Sequence, residues 1–244
     1  MELTGKTALI TGSTGGIGGE TARLMAAAGA DVIVSGRGVE RGEALVKEIT
    51  AAGGSARFVP ADLTDQDALD RLVSAAGVVD ILVNNAAIFP GAPTVDQDLA
   101  SFDASLAANI RAPYFLTARL APAMLAKGSG SIVNVSTMAA RIGMAGLSVY
   151  SATKAALESL TRTWAAEFGP SGVRVNTVAP GPTRTDMVIS SMGEQGAQRV
   201  ADTTVLGRLA SPREIAEVIY FLSTDRASFV TGALVPVDAG RTAI

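Results

Sequence analysis

The stretch KTALITGSTGGIGG, residues 6–19, decides the fold class of this 244-residue chain. Its first half, Lys6 to Gly12, is a short apolar run ending in glycine, which is typical of a strand buried on both faces of a parallel sheet. A helical pattern from Glu20 to Ala28 follows the glycines. Strand, glycine turn and helix in this order place free backbone N–H groups and the positive end of a helix where a pyrophosphate can bind. The stretch therefore predicts a dinucleotide-phosphate site, against the alternative of a tight turn without a ligand.

The same alternation continues along the chain. We predict strands over residues 31–36, 56–61, 79–84, 130–135, 173–178 and 230–238, and helices over residues 38–52, 65–76, 97–127, 148–168 and 212–224. This spacing implies right-handed crossovers and a parallel sheet covered on both faces. No repeat, linker or low-complexity tract divides residues 1–244, so we expect one α/β domain. Residues 183–210 have no clear period and are too many for an ordinary connection, which indicates a mobile substrate lid.

Composition excludes several kinds of site. The absence of cysteine and histidine removes disulfides, thiolate nucleophiles, Ser-His-Asp catalysis and the usual imidazole metal sites, so we expect no metal. Twenty Lys and Arg against 23 Asp and Glu give a net charge of −3 without a basic block, which argues against nucleic acid as a partner. The N-terminus lacks the features of a leader, and no apolar run reaches about 18 residues. We expect a cytoplasmic protein that does not interact with membranes.

Tyr150 and Lys154 lie four residues apart in the helix predicted over residues 148–168. Residues at this spacing share one helix face, so a phenol and an ammonium meet at one place. A nearby cation favours the phenolate and lowers the pKa of a tyrosine from about 10 toward the range useful for proton transfer. Taken alone, such a pair is more often a half-buried tyrosine and a solvated lysine, because helical pairs at this spacing are common.

The second predicted strand ends at Ser35, Gly36 and Arg37, where an acidic residue that binds a ribose diol is expected about 20 residues beyond the glycines. A carboxylate there would repel a 2′-phosphate, whereas an arginine binds one with two parallel hydrogen bonds. Arg37 therefore favours NADP(H) over NAD(H), against the alternative of a solvated side chain.

Polar residues also follow the third and fourth strands, at the edge where α/β sheets bind their ligands. Asp62 follows the third strand, and Asn84 to Ala86 follow the fourth. Asp62 either contacts a ligand or caps the next helix together with Thr64 and Asp65, and the sequence leaves both alternatives open.

Asn109 lies inside the helix predicted over residues 97–127, where asparagine is unfavourable by propensity. This position indicates a buried or water-holding role, although a solvent-facing side chain is the simpler alternative. Ser136 and Thr137 end the fifth strand, 14 and 13 residues before Tyr150. Their hydroxyls are placed to hydrogen-bond a substrate oxygen, although such residues alone are more often found in turns.

Together these residues resemble the short-chain dehydrogenase/reductase family over Lys6 to Gly240. The motifs that carry the resemblance are TGSTGGIG at residues 11–18, Asp62, NNA at residues 84–86, Asn109, the hydroxyl before Tyr150, the Tyr150 and Lys154 pair, and PG at residues 180–181 followed by Thr185. The family implies a single doubly wound Rossmann domain with about seven parallel strands, which agrees with the predicted strands.

The resemblance also implies roles for individual residues. Tyr150 would be the general acid or base, Lys154 would hold the nicotinamide ribose and lower the pKa of Tyr150, and Asn109 would fix a water in a proton relay. The residues expected to contact the cofactor are Gly12, Thr14, Gly16, Ile17, Gly18, Arg37, Asp62, Leu63, Asn84, Ala86, Tyr150, Lys154, Pro180, Gly181, Thr183 and Thr185.

Three positions depart from the family pattern. Thr137 stands where the family usually has its catalytic serine, and its additional methyl group restricts the rotamers of the hydroxyl. We assign Thr137 the catalytic role, with Ser136 as the alternative. The family's Asn-Asn-Ala-Gly motif has Ala87 in place of its glycine in this sequence. The basic residue that many NADP-dependent members place in the glycine turn is Gly15, so the preference for NADP(H) depends on Arg37 alone.

The implied reaction is hydride transfer between a nicotinamide and a small carbonyl compound or alcohol, by a homotetramer. Apolar pocket candidates favour a small apolar ketone or secondary alcohol; they are Met138, Ile142, Met144, Leu147, Met187 and Val188. The alternatives are a 3-oxoacyl-[acyl-carrier-protein] reductase, a sugar dehydrogenase and, in a different class, a non-catalytic cofactor-sensing protein.

Overall fold

Seven parallel strands form the sheet of the protein, whose computed structural model describes all 244 residues. The strands, in the spatial order 3-2-1-4-5-6-7, are β1 (Thr7–Thr11), β2 (Asp31–Gly36), β3 (Ser55–Pro60), β4 (Ile81–Asn84), β5 (Gly130–Val135), β6 (Val173–Pro180) and β7 (Leu234–Val237). The chain adds β2 and β3 on one side of β1, then returns to add β4 on the other. This reversal opens a crevice at the carboxyl ends of β1 and β4. The predicted doubly wound α/β fold is confirmed.

Helices cover both faces of the sheet, because successive strand residues point to opposite sides. They are α1 (Gly16–Ala27), α2 (Val39–Ala51), α3 (Gln66–Ala76), α4 (Leu99–Leu106), α5 (Ala112–Lys127), α6 (Ser148–Phe168), α7 (Asp186–Ala201) and α8 (Pro212–Ser223). Ile10 of β1 packs in the core with α1, α2 and α8, whereas its neighbour Leu9 packs with α3, α5 and α6. Burial of each such side chain stabilises the folded protein by about 1.5–3 kcal/mol. None of the helices combines the length and apolar character that a membrane crossing requires.

The helix predicted over residues 97–127 changes its winding part-way. Residues Ala107–Arg111, between α4 and α5, form a π-helical turn in which the Ala112 N–H donates to the carbonyl of Ala107. Pro113 has no N–H, so the carbonyl of Asn109 lacks a donor at the ordinary α-helical position. The π turn accommodates this proline and leaves Asn109 fully buried.

Residues 183–210 differ most from the sequence-based expectation, since Asp186–Ala201 forms the helix α7. Gly193 interrupts this helix with φ 69° and ψ 172°. The interruption shifts the phase of the apolar residues on its two sides, which hides the helical period in the sequence. Thr185 caps the helix, because its Oγ1 accepts from the Val188 N–H at 3.3 Å.

Several element boundaries also differ from the prediction, mostly by one or two residues, and two differ by four. The first helix begins at Gly16, inside the glycine turn, rather than at Glu20. The last strand begins at Leu234 rather than at residue 230, because Gly232 adopts φ 71° and belongs to the preceding turn. The helix predicted over residues 148–168 is α6 with the same bounds.

The ends of β6 and β7 approach each other closely at Gly181. A Cβ atom added to Gly181 would lie 2.5 Å from the Cα of Asp238. Asp238 is buried and begins the turn that follows β7. A side chain at residue 181 would therefore displace backbone rather than a flexible neighbour.

We expect Gly181→Ala to lower the free energy of unfolding by about 1–3 kcal/mol, the usual cost of overpacking. Urea unfolding followed by circular dichroism measures this loss. Gly91→Ala is the matched control, because a Cβ there would meet no atom within 4 Å. Equal unfolding midpoints for the two variants would contradict the proposed close contact.

Candidate active site

A buried lysine joins α6 to the carboxyl end of β5. Lys154 is 1% exposed, and its Nζ donates to the carbonyl of Val135 at 2.8 Å. Tyr150 lies one turn earlier on the same face, and the Lys154 Nζ is 6.0 Å from the centroid of its ring. The edge of Phe89 packs against the Tyr150 ring, with 4.8 Å between the centroids. The Tyr150 and Lys154 pair is thus anchored where the parallel strands end.

The two hydroxyls that follow β5 have different partners. Thr137 lies beside Tyr150, whose pKa its hydroxyl lowers, and its Oγ1 accepts from the Ala139 N–H at 3.2 Å. Ser136 is buried, and its Oγ donates to Oε1 of Glu158 at 2.7 Å. One step along an extended chain reverses the side-chain direction, which explains the difference. The geometry therefore joins Thr137, and not Ser136, to Tyr150.

Burial controls the pKa values of this pair. Loss of water around the phenol raises the pKa of Tyr150 to about 12, and the hydrogen bond with Thr137 lowers it only in part. Burial also lowers the pKa of Lys154 to about 8. The predicted lowering of the Tyr150 pKa by Lys154 is not found in this arrangement, because the ammonium is directed to Val135. Tyr150 is consequently a protonated phenol near neutral pH.

Asn109 connects the catalytic helix to the loop that follows β4. Its Nδ2 donates to the carbonyl of Ile88 at 2.9 Å and to Oγ1 of Thr153 at 3.1 Å, and its Oδ1 accepts from the Ile88 N–H at 2.8 Å. Both side-chain donors are therefore used within the protein. The main-chain carbonyl, which lacks its α-helical donor, is the better group to hold a water. Sequence reasoning did not identify Thr153, since its partner is 44 residues away.

The glycine turn suits an anion. Gly12 and Gly16 adopt φ values of 63° and 56°, which favour glycine. No side chain caps the N-terminus of α1, and its first turn contains no acidic residue. The first N–H groups of α1 are thus available to a phosphate, and the helix dipole favours negative charge there. A Cβ on Gly18 would lie 2.6 Å from Nδ2 of Asn85, so this part of the turn tolerates only glycine.

The neighbouring side chains of Asn84 and Asn85 have different partners. Nδ2 of Asn85 donates to the carbonyls of Thr11 and Gly12 at 2.9 and 3.0 Å, which pins the glycine turn to the end of β4. Nδ2 of Asn84 donates instead to Oδ1 of Asn134 on β5 at 2.8 Å, and the side chain is buried. The Asn84 side chain therefore bonds within the sheet, and contact between Asn84 and the cofactor stays a prediction.

Ala86 also holds the glycine turn in place. Its N–H donates to Oγ1 of Thr11 at 3.1 Å, and a Cβ on Gly12 would lie 2.8 Å from its Cα. Ile17 packs partly against the core below the turn. These contacts bring the ends of β1 and β4 together around the predicted phosphate site.

The end of β2 carries two arginines rather than one. Arg37 is exposed, and no carboxylate lies within 4.0 Å of its guanidinium. The guanidinium of Arg41 lies over Gly38, with Nε 3.0 Å from the position of an added Cβ. Thr14 of the glycine turn packs over Gly36 in the same way, with Cγ2 at 2.9 Å. A hydroxyl and two cations therefore surround this tip, and the sequence-based reasoning missed Arg41.

The cap of α3 is Asp65, whereas Asp62 closes the turn just before the helix. Its Oδ1 accepts from the Thr64 N–H at 2.9 Å and from the Thr64 hydroxyl at 2.8 Å. These bonds, with a smaller effect from the charge of Arg37, lower the pKa of Asp62. Asp62 remains half-buried, so its second oxygen is free for a ligand. Leu63 packs in the core, so only its main chain can reach a cofactor.

The start of α7 lies over the glycine turn. Cγ2 of Thr185 is 3.4 Å from the position that a Cβ on Gly16 would take. Thr183 is buried, and its hydroxyl donates to the carbonyl of Gly181 at 3.0 Å. Thr185 thus lies beside the glycine turn, and the contacts of Pro180, Gly181, Thr183 and Thr185 with the cofactor stay a prediction.

A cavity of about 360 Å³ lies between the loop after β5 and the helix α7. Its lining begins at Met138, the residue after Thr137, and includes the predicted Ile142 and Met144. Leu147, Met187 and Val188, which the sequence also favoured, are not among the lining residues. α7 supplies a second wall that sequence reasoning missed, formed by Met192, Gly196, Arg199, Val200 and Thr203, and the chain after β7 adds Arg241.

Known proteins resemble this chain over nearly its whole length. A family model described as enoyl-(acyl carrier protein) reductase matches residues 12–242. The chain is 39% identical to the cis-4-hydroxycyclohexanecarboxylate dehydrogenase of Sinomonas cyclohexanicum, over 98% of this chain and 97% of the relative. It is 36% identical to the 3-oxoacyl-[acyl-carrier-protein] reductase FabG of Thermotoga maritima, over 98% and 99%. The chain belongs to the short-chain dehydrogenase/reductase family.

Solved structures extend the comparison. A short-chain dehydrogenase/reductase family protein matches this chain with a TM-score of 0.95 and 55% identity, over 100% of both chains. A blue fluorescent protein from a metagenomic library, solved in complex with NADPH, matches with a TM-score of 0.92 and 35% identity, over 99% of both chains. This short-chain dehydrogenase/reductase is therefore an NAD(P)-dependent enzyme with dehydrogenase or reductase activity. Its uncapped glycine turn and the closely packed Gly36 and Thr14 fit such a cofactor.

Burial of the Lys154 ammonium lowers the stability of the folded protein, although Lys154 belongs to the candidate active site. Replacing Lys154 by methionine removes a buried charge, so we expect Lys154→Met to raise the free energy of unfolding by about 2 kcal/mol near neutral pH. The pKa of Lys154 is about 8 in the folded protein, against 10.5 for the free side chain. The wild-type protein therefore gains stability as pH rises from 8 to 10.5, because the unfolded state then binds more protons. The advantage of the variant should shrink over that interval.

Urea unfolding of both proteins across this pH range measures the effect. Lys47→Met is the control, because Lys47 is exposed on α2 and its replacement should change stability little at any pH. If Lys154→Met were less stable than the wild type near neutral pH, the hydrogen bond to Val135 would outweigh the burial of charge.

Proposed function

We propose that this protein transfers a hydride between NADP(H) and a small, largely apolar ketone or secondary alcohol. One observation carries the proposal: the hydroxyl of Thr137 lies beside the phenol of Tyr150, and the next residue, Met138, lines the cavity. Two hydroxyls so placed can hold one substrate oxygen between them. Lys154, fixed one turn from Tyr150, completes the set.

Each residue then has a role in the proton chemistry. When bound, the nicotinamide cofactor supplies or accepts the hydride. Tyr150 gives its proton to the carbonyl oxygen in reduction and takes it from the alcohol in oxidation. Thr137 donates a hydrogen bond to the same oxygen and stabilises the negative charge that develops there. Lys154 would hold the nicotinamide ribose.

The phenol of Tyr150 must recover its proton after each reduction. Asn109 is proposed to hold a water for this relay through its main-chain carbonyl, which Pro113 deprives of its usual donor. Thr153 supports that geometry, because it bridges Asn109 to the carbonyl of Tyr150, to which it donates at 2.8 Å.

Substitution of the two hydroxyls tests the proton-transfer roles. We expect Tyr150→Phe to lower kcat about 100-fold or more, since general acid catalysis contributes about 10²- to 10⁴-fold. Thr137→Val should lower kcat by a similar factor, whereas Thr137→Ser keeps the hydroxyl and most of the activity. Ser136→Ala is the matched control and should leave kcat nearly unchanged. A Tyr150→Phe variant that kept more than about a tenth of the rate would exclude this role for Tyr150.

The preference for NADP(H) rests on the charge at the end of β2. Arg37 and Arg41 are cationic, Thr14 adds a hydroxyl, and the tip carries no carboxylate to repel a 2′-phosphate. The NADPH-bound relative described above is consistent with this preference. Arg41 strengthens the argument, because the preference no longer depends on one residue.

The ratio of NADPH to NADH use tests this preference. We expect Arg37→Ala to raise the KM for NADPH about tenfold and to leave the KM for NADH unchanged, since only NADPH carries the 2′-phosphate. Arg71→Ala on α3 is the control for loss of one surface charge. Equal use of both cofactors by the wild type, or an unchanged ratio in Arg37→Ala, would overturn the preference.

A 3-oxoacyl-[acyl-carrier-protein] substrate is the second candidate, and the similarity to FabG of Thermotoga maritima favours it. Binding of an acidic carrier protein calls for a basic surface near the site. The comparable turns contain Lys127-Gly128-Ser129 and Pro170-Ser171-Gly172, and Lys127 is paired with Asp80. This thin positive charge favours a free small molecule over a carrier-bound one.

The segment around α7 is proposed to act as the substrate lid, because it forms one wall of the cavity and Gly193 interrupts it.

A homotetramer is also proposed, with contacts through α4, α5 and α6. The exposed aromatic side chains of Phe102, Tyr114 and Phe115 on α4 and α5 support this assembly.

A further inference from the structure

Two arginines interrupt the apolar wall of the cavity that Met138, the residue after Thr137, lines. The lining is otherwise rich in apolar side chains, including Met138, Ile142, Met144, Met192 and Val200. Arg199 reaches the cavity from α7, and Arg241 reaches it from the chain after β7. No carboxylate oxygen lies within 4.0 Å of either guanidinium. The cavity therefore contains two positive charges without protein partners.

Acidic residues are present nearby but are engaged elsewhere. Glu194 of α7 forms a two-pronged ion pair with Arg184, at 2.8 and 2.7 Å. Asp202, close to Arg199 in sequence, accepts a hydrogen bond from Gln198 at 2.7 Å. The lack of a partner for Arg199 thus reflects how these side chains are arranged, since the segment does not lack carboxylates.

The backbone that presents Arg241 is held in an unusual conformation. Ala239 has φ 55° and is the single non-glycine residue with positive φ, and Gly240 follows it with φ 79°. Asp238 stabilises this turn, because its carboxylate accepts from the Gly240 N–H, the Thr242 N–H and the Thr242 hydroxyl, at 3.0, 3.0 and 2.6 Å. Positive φ at alanine costs about 1–2 kcal/mol, and such strain often marks a functional position.

The same turn is tied to the end of α7. The N–H of Val205 donates to the carbonyl of Ala239 at 2.9 Å. The Asp238 carboxylate binds groups of its own turn and does not form an ion pair with Arg241. Arg199 and Arg241 therefore face one space from two joined segments, and Arg241 is the more buried of the two.

We propose that the substrate is an oxo acid or hydroxy acid, whose carboxylate binds Arg199 and Arg241 while its carbon skeleton contacts the methionines. This proposal rests on the hydride-transfer function proposed above and specifies its substrate. A guanidinium offers two parallel donors to a carboxylate, and the apolar wall excludes water from the skeleton. A volume of about 360 Å³ suits one small molecule. The ketone takes up one hydride and one proton to become a secondary alcohol, and the carboxylate is unchanged.

Kinetics with matched ketones test this inference. The probes are 4-oxocyclohexanecarboxylate, its methyl ester and 4-methylcyclohexanone, which differ mainly in charge. We expect the acid to have a kcat/KM about 10- to 100-fold above those of the neutral ketones, because a charge-assisted hydrogen bond strengthens binding by about this factor. Arg241→Ala should raise the KM for the acid about tenfold, and Arg199→Ala somewhat less because it is more exposed.

Two comparisons isolate the charge effect. Both arginine variants should lose much less activity with the neutral ketones than with the acid, and Arg71→Ala should change neither substrate class. An acid that is reduced no better than its ester, or an unchanged KM in the Arg199→Ala and Arg241→Ala double variant, would overturn the carboxylate site. Reduction of the neutral ketones alone would leave the hydride-transfer function intact.

Binding without turnover separates the two proposals further. Isothermal titration of cyclohexanecarboxylate and cyclohexanecarboxamide into the protein, with cofactor present, measures recognition of the carboxylate independently of catalysis. We expect the carboxylate to bind at least tenfold more tightly than the amide in the wild type, and this preference to disappear in the double variant. Equal binding of the two compounds would exclude the carboxylate site even if no ketone were reduced.

Discussion

The hydrogen bond from the buried ammonium of Lys154 to the carbonyl of Val135 is the contact on which the site depends. It fixes α6 against the end of β5, so that Tyr150, one turn earlier, meets Thr137, two residues beyond the strand. A buried charge opposes folding, and the pKa of Lys154 falls to about 8 as a result. The sheet must therefore be stable enough to hold this lysine, and its two large apolar cores supply that stability.

Most of the fold follows from local patterns in the sequence. Apolar runs such as residues 31–36 and 130–135 predict buried parallel strands, because both of their faces are covered. The helix over residues 148–168 has a complete 3.6-residue period, so its bounds are predicted correctly. The position of the crevice also follows, since the carboxyl ends of parallel strands meet at one edge of the sheet. Periodicity reports on burial, and the buried elements are the ones it identifies.

What the sequence could not predict depends on contacts between distant residues. Asn84 and Asn85 are adjacent, and only the packing of β4 shows that Asn85 holds the glycine turn while Asn84 bonds to β5. Likewise, the partner of Ser136 is a glutamate 22 residues away, which leaves Thr137 for Tyr150. The pKa of Tyr150 rises although a lysine lies four residues away, because spacing gives proximity but not desolvation or the direction of an ammonium. The irregular α7 was missed for a related reason, since Gly193 divides its period.

The segments that the sequence predicts well and those that it predicts poorly are proposed to carry different parts of the function. The groups proposed for cofactor binding and proton transfer lie at the ends of regular strands and on a long helix, where backbone geometry repeats from one family member to the next. The walls that contact the substrate come from α7 and from the strained turn at Ala239, which are the least regular segments. Such segments can change charge without disturbing the sheet. Two unpaired arginines on them are therefore better evidence about the substrate than any residue of the shared catalytic set.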